Sequence, residues 1–241
     1  MLEKLYKTNL VSSGKSSTFA RKICREKITF TRQDNRKMNA LTIENKILAK
    51  IKKRGRGSVY FVSDFVNYGT RASVNKALER LTDEGTIMRV ARGIYCYPMK
   101  DRTFGTGQCP PSTDDIAKAV ARRDGASIVP AEAWAQYQLG MTQQVPMNVI
   151  FLTNGPSRTI KTEIGLNIKF KHASPRYFSM KNIVACMIIT ALKDWKVENL
   201  SKEQLEKLKA VVKEHGPFPA EDIKLMPANV RELIQSFEAK E

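Results

Sequence analysis

The chain has 241 residues, 42% of them apolar and 27% charged, and carries a formal net charge of +17, which allows sizeable cores and suggests two domains. Its longest apolar run, Ile183 to Leu192, is about half of the roughly 20 residues that a membrane-spanning helix needs, so nothing argues for a membrane. Cys24, Cys96, Cys109 and Cys186 are far apart with no C-x-x-C, and His172 and His215 stand alone, which argues against a disulfide framework or a zinc site.

The positive charge is uneven. Residues 1–60 hold 16 Lys and Arg against 4 Asp and Glu, a net +12, and the remainder carries only +5. Such a field favours polyanions, either nucleic acid or an anionic membrane surface. Residues 1–40 are rich in Ser, Thr and Asn and weakly periodic. They read either as a disordered arm able to wrap along phosphates or as a start assigned too far upstream, since Met38 directly precedes the first convincing helix. Leu10-Val11 is followed at once by Ser-Ser-Gly-Lys, so a signal peptide's apolar core is missing and a reducing cytoplasm is the expected location. Ser12-Ser-Gly-Lys-Ser echoes the end of a Walker A loop, but Asn9 stands where the first glycine belongs and no strand precedes it.

Residues 41–100 are predicted to form a winged helix-turn-helix. Helix one, Leu41 to Arg54, turns Ile43, Ile47, Leu48 and Ile51 inward and crowds Lys50, Lys52, Lys53, Arg54 and Arg56 near its end, before Gly55-Arg56-Gly57 breaks the chain. Val59, Phe61 and Phe65 supply bulky core residues, and a short second helix follows with Ser63 as its expected cap. Helix three is capped by Thr70, lays Val74, Ala77, Leu78 and Leu81 along one inward stripe, and stops at Gly85. Arg71, Ser73, Asn75, Lys76 and Arg80 are left outside, with donors and acceptors that match base edges and phosphates. Ile87 to Tyr97 alternates as a hairpin that carries Arg89 and, at its turn, Arg92, a cation able to reach phosphate or a narrow minor groove. The candidate DNA-binding set is therefore Lys53, Arg54, Arg71, Ser73, Asn75, Lys76, Arg80, Arg89 and Arg92. A solvated helix with an ordinary turn arginine is the bland alternative, and the pairing of helix with hairpin favours the interface.

Pro98 ends the hairpin, and residues 101–112, with two Gly and two Pro, read as a linker. Residues 113–241 read as a mixed α/β domain with a helical C-terminal tail, which makes the whole chain α+β. A helix opens at Thr113-Asp-Asp-Ile, and a second runs from Ala131 to Leu139 with Trp134 and Tyr137. Asn148 to Thr153 is a buried strand, and Arg158 to Thr162 with Leu166 to Lys171 form a hairpin turning at Gly165. Three tail helices follow: from Ser179 to Leu192, after the capping pattern Ser201-Lys-Glu-Gln204, and after Pro227. Arg158, Lys161, Lys169 and Lys171 on the hairpin make either a second nucleic-acid surface or, more ordinarily, a solvated face.

Lys53-Arg-Gly-Arg-Gly-Ser-Val-Tyr-Phe, then Thr70-Arg-Ala-Ser-Val-Asn-Lys-Ala-Leu-Glu-Arg-Leu, then Arg89-Val-Ala-Arg-Gly-Ile-Tyr resembles the winged-helix head of the AbiE-type (AbiEi-like) antitoxins and their related transcriptional regulators. Ile128-Val-Pro-Ala, Leu139-Gly-Met-Thr-Gln-Gln-Val-Pro, Leu152-Thr-Asn-Gly and Arg158-Thr-Ile-Lys are similar to that family's second domain, so the resemblance covers roughly residues 41–175. It implies a repressor of its own operon, bound to double-stranded operator DNA, that also neutralises a nucleotidyltransferase-like toxin without requiring a tight complex. Carried over by position, it implies groove contacts at Arg71, Ser73, Asn75 and Lys76 and a wing contact at Arg92.

A rival reading is a metal-dependent nuclease targeted by the winged helix. Such enzymes often set a lysine two residues beyond a metal-binding carboxylate. Glu44-Asn-Lys46, Asp194-Trp-Lys196, Asp222-Ile-Lys224 and Glu238-Ala-Lys240 fit that spacing, little more than chance gives in a chain this charged, and none lies on a convincing strand of the second domain. No G-x-S-x-G, H-E-x-x-H or Cys/His arrangement offers another chemistry. The expectation is a binder with no catalytic residue, metal or cofactor. An RNA-binding role fits the basic arm, whereas a two-stranded wing favours duplex DNA.

Overall fold

A computed structural model describes residues 43–100, 107–163, 165–193 and 197–238. The basic arm, most of the Asp194-Trp-Lys196 and Glu238-Ala-Lys240 motifs, and the first half of the expected linker lie outside them. The architecture is mixed α+β, with helices and several small sheets. Among the described residues no helix is long and apolar enough to cross a membrane.

Helix α1 covers residues 43–54 and buries Ile47 and Ile51 completely, while Leu48 is only half-buried. Gly55 and Gly57, at φ +90° and +83°, reverse the chain into β1, Val59–Phe61. This strand has no counterpart in the predicted elements. A 3-10 helix follows over Val62–Tyr68, and Ser63 does not cap it; the Asp64 carboxylate accepts from the Phe61 N–H at 2.8 Å instead. Helix α2, Arg71–Asp83, keeps the predicted stripe of Val74, Ala77, Leu78 and Leu81 buried. Strands β2, Met88–Ala91, and β3, Ile94–Cys96, then form the expected hairpin. Phe65 and Leu78 are fully buried, which stabilises the unit by roughly 1.5–3 kcal/mol for each side chain.

The first sheet has the order β1-β3-β2, all antiparallel, with Tyr60 opposite Tyr95 and Phe61 opposite Ile94. Alternation along the strands gives it two apolar faces. Tyr60, Tyr95 and nearby Ile87 join the core with α1, Phe65 and α2. Val59, Phe61, Val90, Ile94 and Cys96 belong to a different core, shared with the second half of the chain.

Strands β4, Met99–Lys100, and β5, Gln108–Cys109, pair antiparallel, so the described part of the expected linker returns to the end of the hairpin segment. Helix α3, Thr113–Asp124, is capped by Ser112, whose hydroxyl accepts from the Asp115 N–H at 3.1 Å, and ends at Gly125 in the left-handed region. It buries Ile116, Ala117, Ala119 and Val120 between the first sheet and a second one.

The second sheet is mixed. Strands β6, Ile128–Ala131, β7, Asn148–Thr153, β8, Arg158–Lys161, and β9, Asn167–His172, are arranged β6-β7-β9-β8, with β7 and β9 parallel and the outer pairs antiparallel. Strand β6 has no counterpart among the predicted elements, and Pro130 is a residue that a central strand would exclude. It lies at a sheet edge, where a missing N–H is tolerated. Val149, Phe151, Ile168 and Phe170 face α3. Helices α4, Glu132–Gln138, and α5, Ile183–Leu192, contribute to the third core together with α6, Lys202–His215, and α8, Ala228–Glu238. A further helix, α7 at Ala220–Leu225, was not predicted; its fully buried Asp222 accepts the Lys181 and Asn182 N–H groups at 2.9 and 2.8 Å and so fixes the start of α5.

Candidate nucleic-acid interface

The start of α2 is built by Thr70, which accepts from the Ser73 N–H at 3.3 Å and satisfies one of the exposed donors of the first turn. Its hydroxyl also lies 2.8 Å from the Ser73 hydroxyl. Ser73, expected to meet bases, therefore already has a local partner. The side chains of Arg71, Asn75 and Lys76 are exposed beside it and hydrogen-bond to no described residue. Because Val74, Ala77, Leu78 and Leu81 occupy the inward face, Lys76 projects from the opposite one, while Arg71 and Asn75 lie along one flank of the buried stripe.

The other expected cations divide into engaged and free. Arg80 donates to Glu44 at 2.7 Å, and Arg89 pairs with Glu163 at 3.1 Å. Both are about half exposed, and each charge is offset by a carboxylate that no local window of sequence reveals. Arg54 lies over the Tyr60 ring at 5.6 Å, and Lys53 is exposed at the end of the same helix. Neighbouring Lys50 and Arg56 are spent structurally: Lys50 donates to the Asp64 carbonyl at 2.5 Å, and Arg56 to the Pro98 carbonyl at 2.8 Å.

Arg92 occupies the two-residue turn between β2 and β3 and is exposed, with Gly93 at φ +73° completing the reversal. A left-handed residue at that position suits glycine, which lets the hairpin turn tightly without strain. Burial raises the phenols of Tyr60 and Tyr95 above their usual range, in keeping with their place in the core beneath α1 and α2. Arg123, Arg158 and Lys161 line the same cleft as Arg92. Arg123 gave no signal in the sequence, because its relation to the hairpin depends on how α3 packs. Lys171, expected on the same basic hairpin as Arg158, pairs with Glu132 at 2.5 Å, while Lys169 is exposed.

Of the nuclease-like motifs, Glu44 is bound to Arg80, and Asp222 is buried under two backbone donors. Among the described residues, no group of three or more His, Cys, Asp or Glu side chains is placed to share a metal ion.

Residues 46–217 match the model of a Family of unknown function (DUF6088), and the chain belongs to that family. No curated protein matches the chain.

Proposed function

We propose that residues 43–97 act as a winged helix-turn-helix and that the protein is a sequence-specific, DNA-binding transcriptional regulator. The observation that carries this reading is the exposure, on one small unit, of Arg71, Asn75 and Lys76 along α2 and of Arg92 at the hairpin tip, each without a protein partner among the described residues. Helix α2 would enter the major groove by its first turns, and the hairpin would lie along the flanking backbone. The excess of positive charge in residues 1–60 supports a polyanionic partner.

The resemblance to AbiE-type antitoxins extends the proposal: the chain would repress its own operon and antagonise a nucleotidyltransferase-like toxin made beside it in the cytoplasm. The decisive experiment is a binding titration of the full chain on the DNA upstream of its gene and on random duplex at the same salt. Asn75→Ala should cost about 1–3 kcal/mol on the preferred site alone, the size of one lost base contact. Equal affinity of the unaltered chain for both duplexes would reject sequence-specific regulation. Failure of the chain to restore growth of cells expressing the neighbouring toxin would reject the antitoxin part alone.

A further inference from the structure

Strand β2 is an edge of the first sheet and β8 an edge of the second. The Glu163 N–H donates to the Val90 carbonyl at 2.7 Å, and the Arg89–Glu163 pair at 3.1 Å strengthens that tie. Beside it opens a cleft of about 400 Å³ lined by Arg92, Ile94, Arg123, Arg158, Ile160 and Lys161 among others.

Four cations from three separate elements thus share one concavity. Asp124 is the carboxylate bound to them, and it is divided between Arg123, at 3.0 Å, and Arg158. Glu163, the nearby acid, is occupied by Arg89. The charge balance of these groups leaves three positive charges uncompensated. Aromatic rings restrict the two inner guanidinium groups: Arg123 lies 4.5 Å from the centre of Phe61, and Arg158 lies 5.4 Å from that of Phe170. The Nε of Arg158 is buried and donates to no protein group. Burial, and then the neighbouring Arg123 charge, lower the proton affinity of Arg158, as crowded like charges should. Two restrained guanidinium groups and two exposed cations around one hollow, under-neutralised together, call for an anion.

We propose that this cleft is an oxyanion site that takes a phosphate group, held by Arg92, Arg123, Arg158 and Lys161. A carboxylate brings one charge and two oxygens, too little for three unbalanced cations. A phosphate monoester brings nearly two charges on three free oxygens, and two neighbouring diesters of a duplex backbone bring two charges between them; planar guanidinium forks and an ammonium can share either. The phosphate comes either from a duplex backbone beside the hairpin or from a free phosphorylated molecule. The site itself does not depend on the DNA-binding reading.

The test follows the arginine Nε–Hε resonances of the full isotope-labelled chain during titration with inorganic phosphate at constant ionic strength. The Arg158 and Arg123 signals should shift and saturate. Lys161→Ala, an exposed change, should weaken the apparent affinity about tenfold, as expected for one lost charge-assisted contact. Arg123→Gln should weaken it at least as much, with unchanged circular dichroism as the check on folding. Shifts that rise without saturating, or equal affinity for the unaltered and Lys161→Ala chains, overturn the proposal. Saturating phosphate binding supports it, and a competing random duplex then names the source: displacement of phosphate from Arg158 assigns the backbone, and undisturbed phosphate assigns a free ligand. Loss of all duplex binding leaves the phosphate titration intact, so the two readings fail separately.

Discussion

If α2 and the hairpin hold DNA, the salt dependence of binding should count the free cations and ignore the paired ones. Of the seven cations in the sequence-derived set, Arg80 and Arg89 are neutralised by Glu44 and Glu163, which leaves Lys53, Arg54, Arg71, Lys76 and Arg92. Each phosphate neutralised releases counterions worth about −0.9 in the slope of log affinity against log salt, so five contacts give a slope of about −4.5 per chain and seven would give about −6.3. A fourfold rise in salt should then lower affinity for random duplex by about 500-fold. Arg92→Ala should flatten the slope by about 0.9, whereas Arg80→Ala and Arg89→Ala should leave it nearly unchanged. Glu163→Gln should do the reverse: it frees Arg89, whose partner is itself half exposed, and should steepen the slope by up to about 0.9. Fluorescence anisotropy with a labelled random duplex across a salt series measures all four variants. A slope that falls equally for Arg80→Ala and Arg92→Ala would refute the assignment, because a neutralised arginine would then behave as a free one.

Asp222→Ala strips the acceptor from the Lys181 and Asn182 N–H groups and should lower stability by about 2–5 kcal/mol, read as a fall in the urea midpoint; a loss of less than about 1 kcal/mol would mean that water replaces the carboxylate without cost. Thr70→Ala removes the α2 cap and should cost about 1 kcal/mol in the same assay, with Thr70→Ser restoring most of it. Burial pushes the Cys96 thiol up to about 11 and the Cys186 thiol up to about 12 from an ordinary value of 9.0, so the fold retains protons that the unfolded chain releases. Their stabilising effect is complete below pH 9 and is lost as pH rises to about 11 for Cys96 and about 12 for Cys186, at up to about 1.4 kcal/mol per thiol per pH unit. Denaturant titrations at several alkaline pH values should show a flatter decline in a Cys96→Ala, Cys186→Ala double variant, and parallel declines would contradict the burial argument.

Much of this architecture was legible wherever a segment carries its own periodicity. The stripe of α2, the six-residue run of β7 and the capping box Ser201/Gln204 follow from local chemistry and occur where that chemistry puts them. Strand β1 was missed because three residues are too few to show alternation, and their pairing depends on β3. Pro130 hid β6, which is a strand only because it sits at an edge. The candidate interface was legible to a similar extent. The exposure of Arg71, Asn75 and Lys76 follows from the helix period, but the engagement of Arg80 and Arg89 depends on distant carboxylates, and Ser73 on the cap it adjoins.

The two faces of the first sheet determine how its helices relate to the rest of the chain. A free-standing helix-and-hairpin unit would leave one sheet face to solvent, yet Val59, Phe61, Val90 and Ile94 are each 5% exposed or less. Their cover is α3 and the second sheet, and the Glu163–Val90 hydrogen bond joins the two halves again at their edges. A fragment ending at Lys100 would uncover that apolar face at a cost of roughly 25 cal/mol for each Å² exposed, and it should associate or unfold where the full chain stays folded. Sedimentation of the fragment at increasing concentration tests this, and a stable monomer with unchanged α2 helicity would count against it. The same packing means that β2 and β3 cannot move relative to α3 without opening a core. A ligand in the cleft that altered the spacing of β2 and β8 would therefore act on the hairpin carrying Arg92 through packed side chains rather than through a flexible tether.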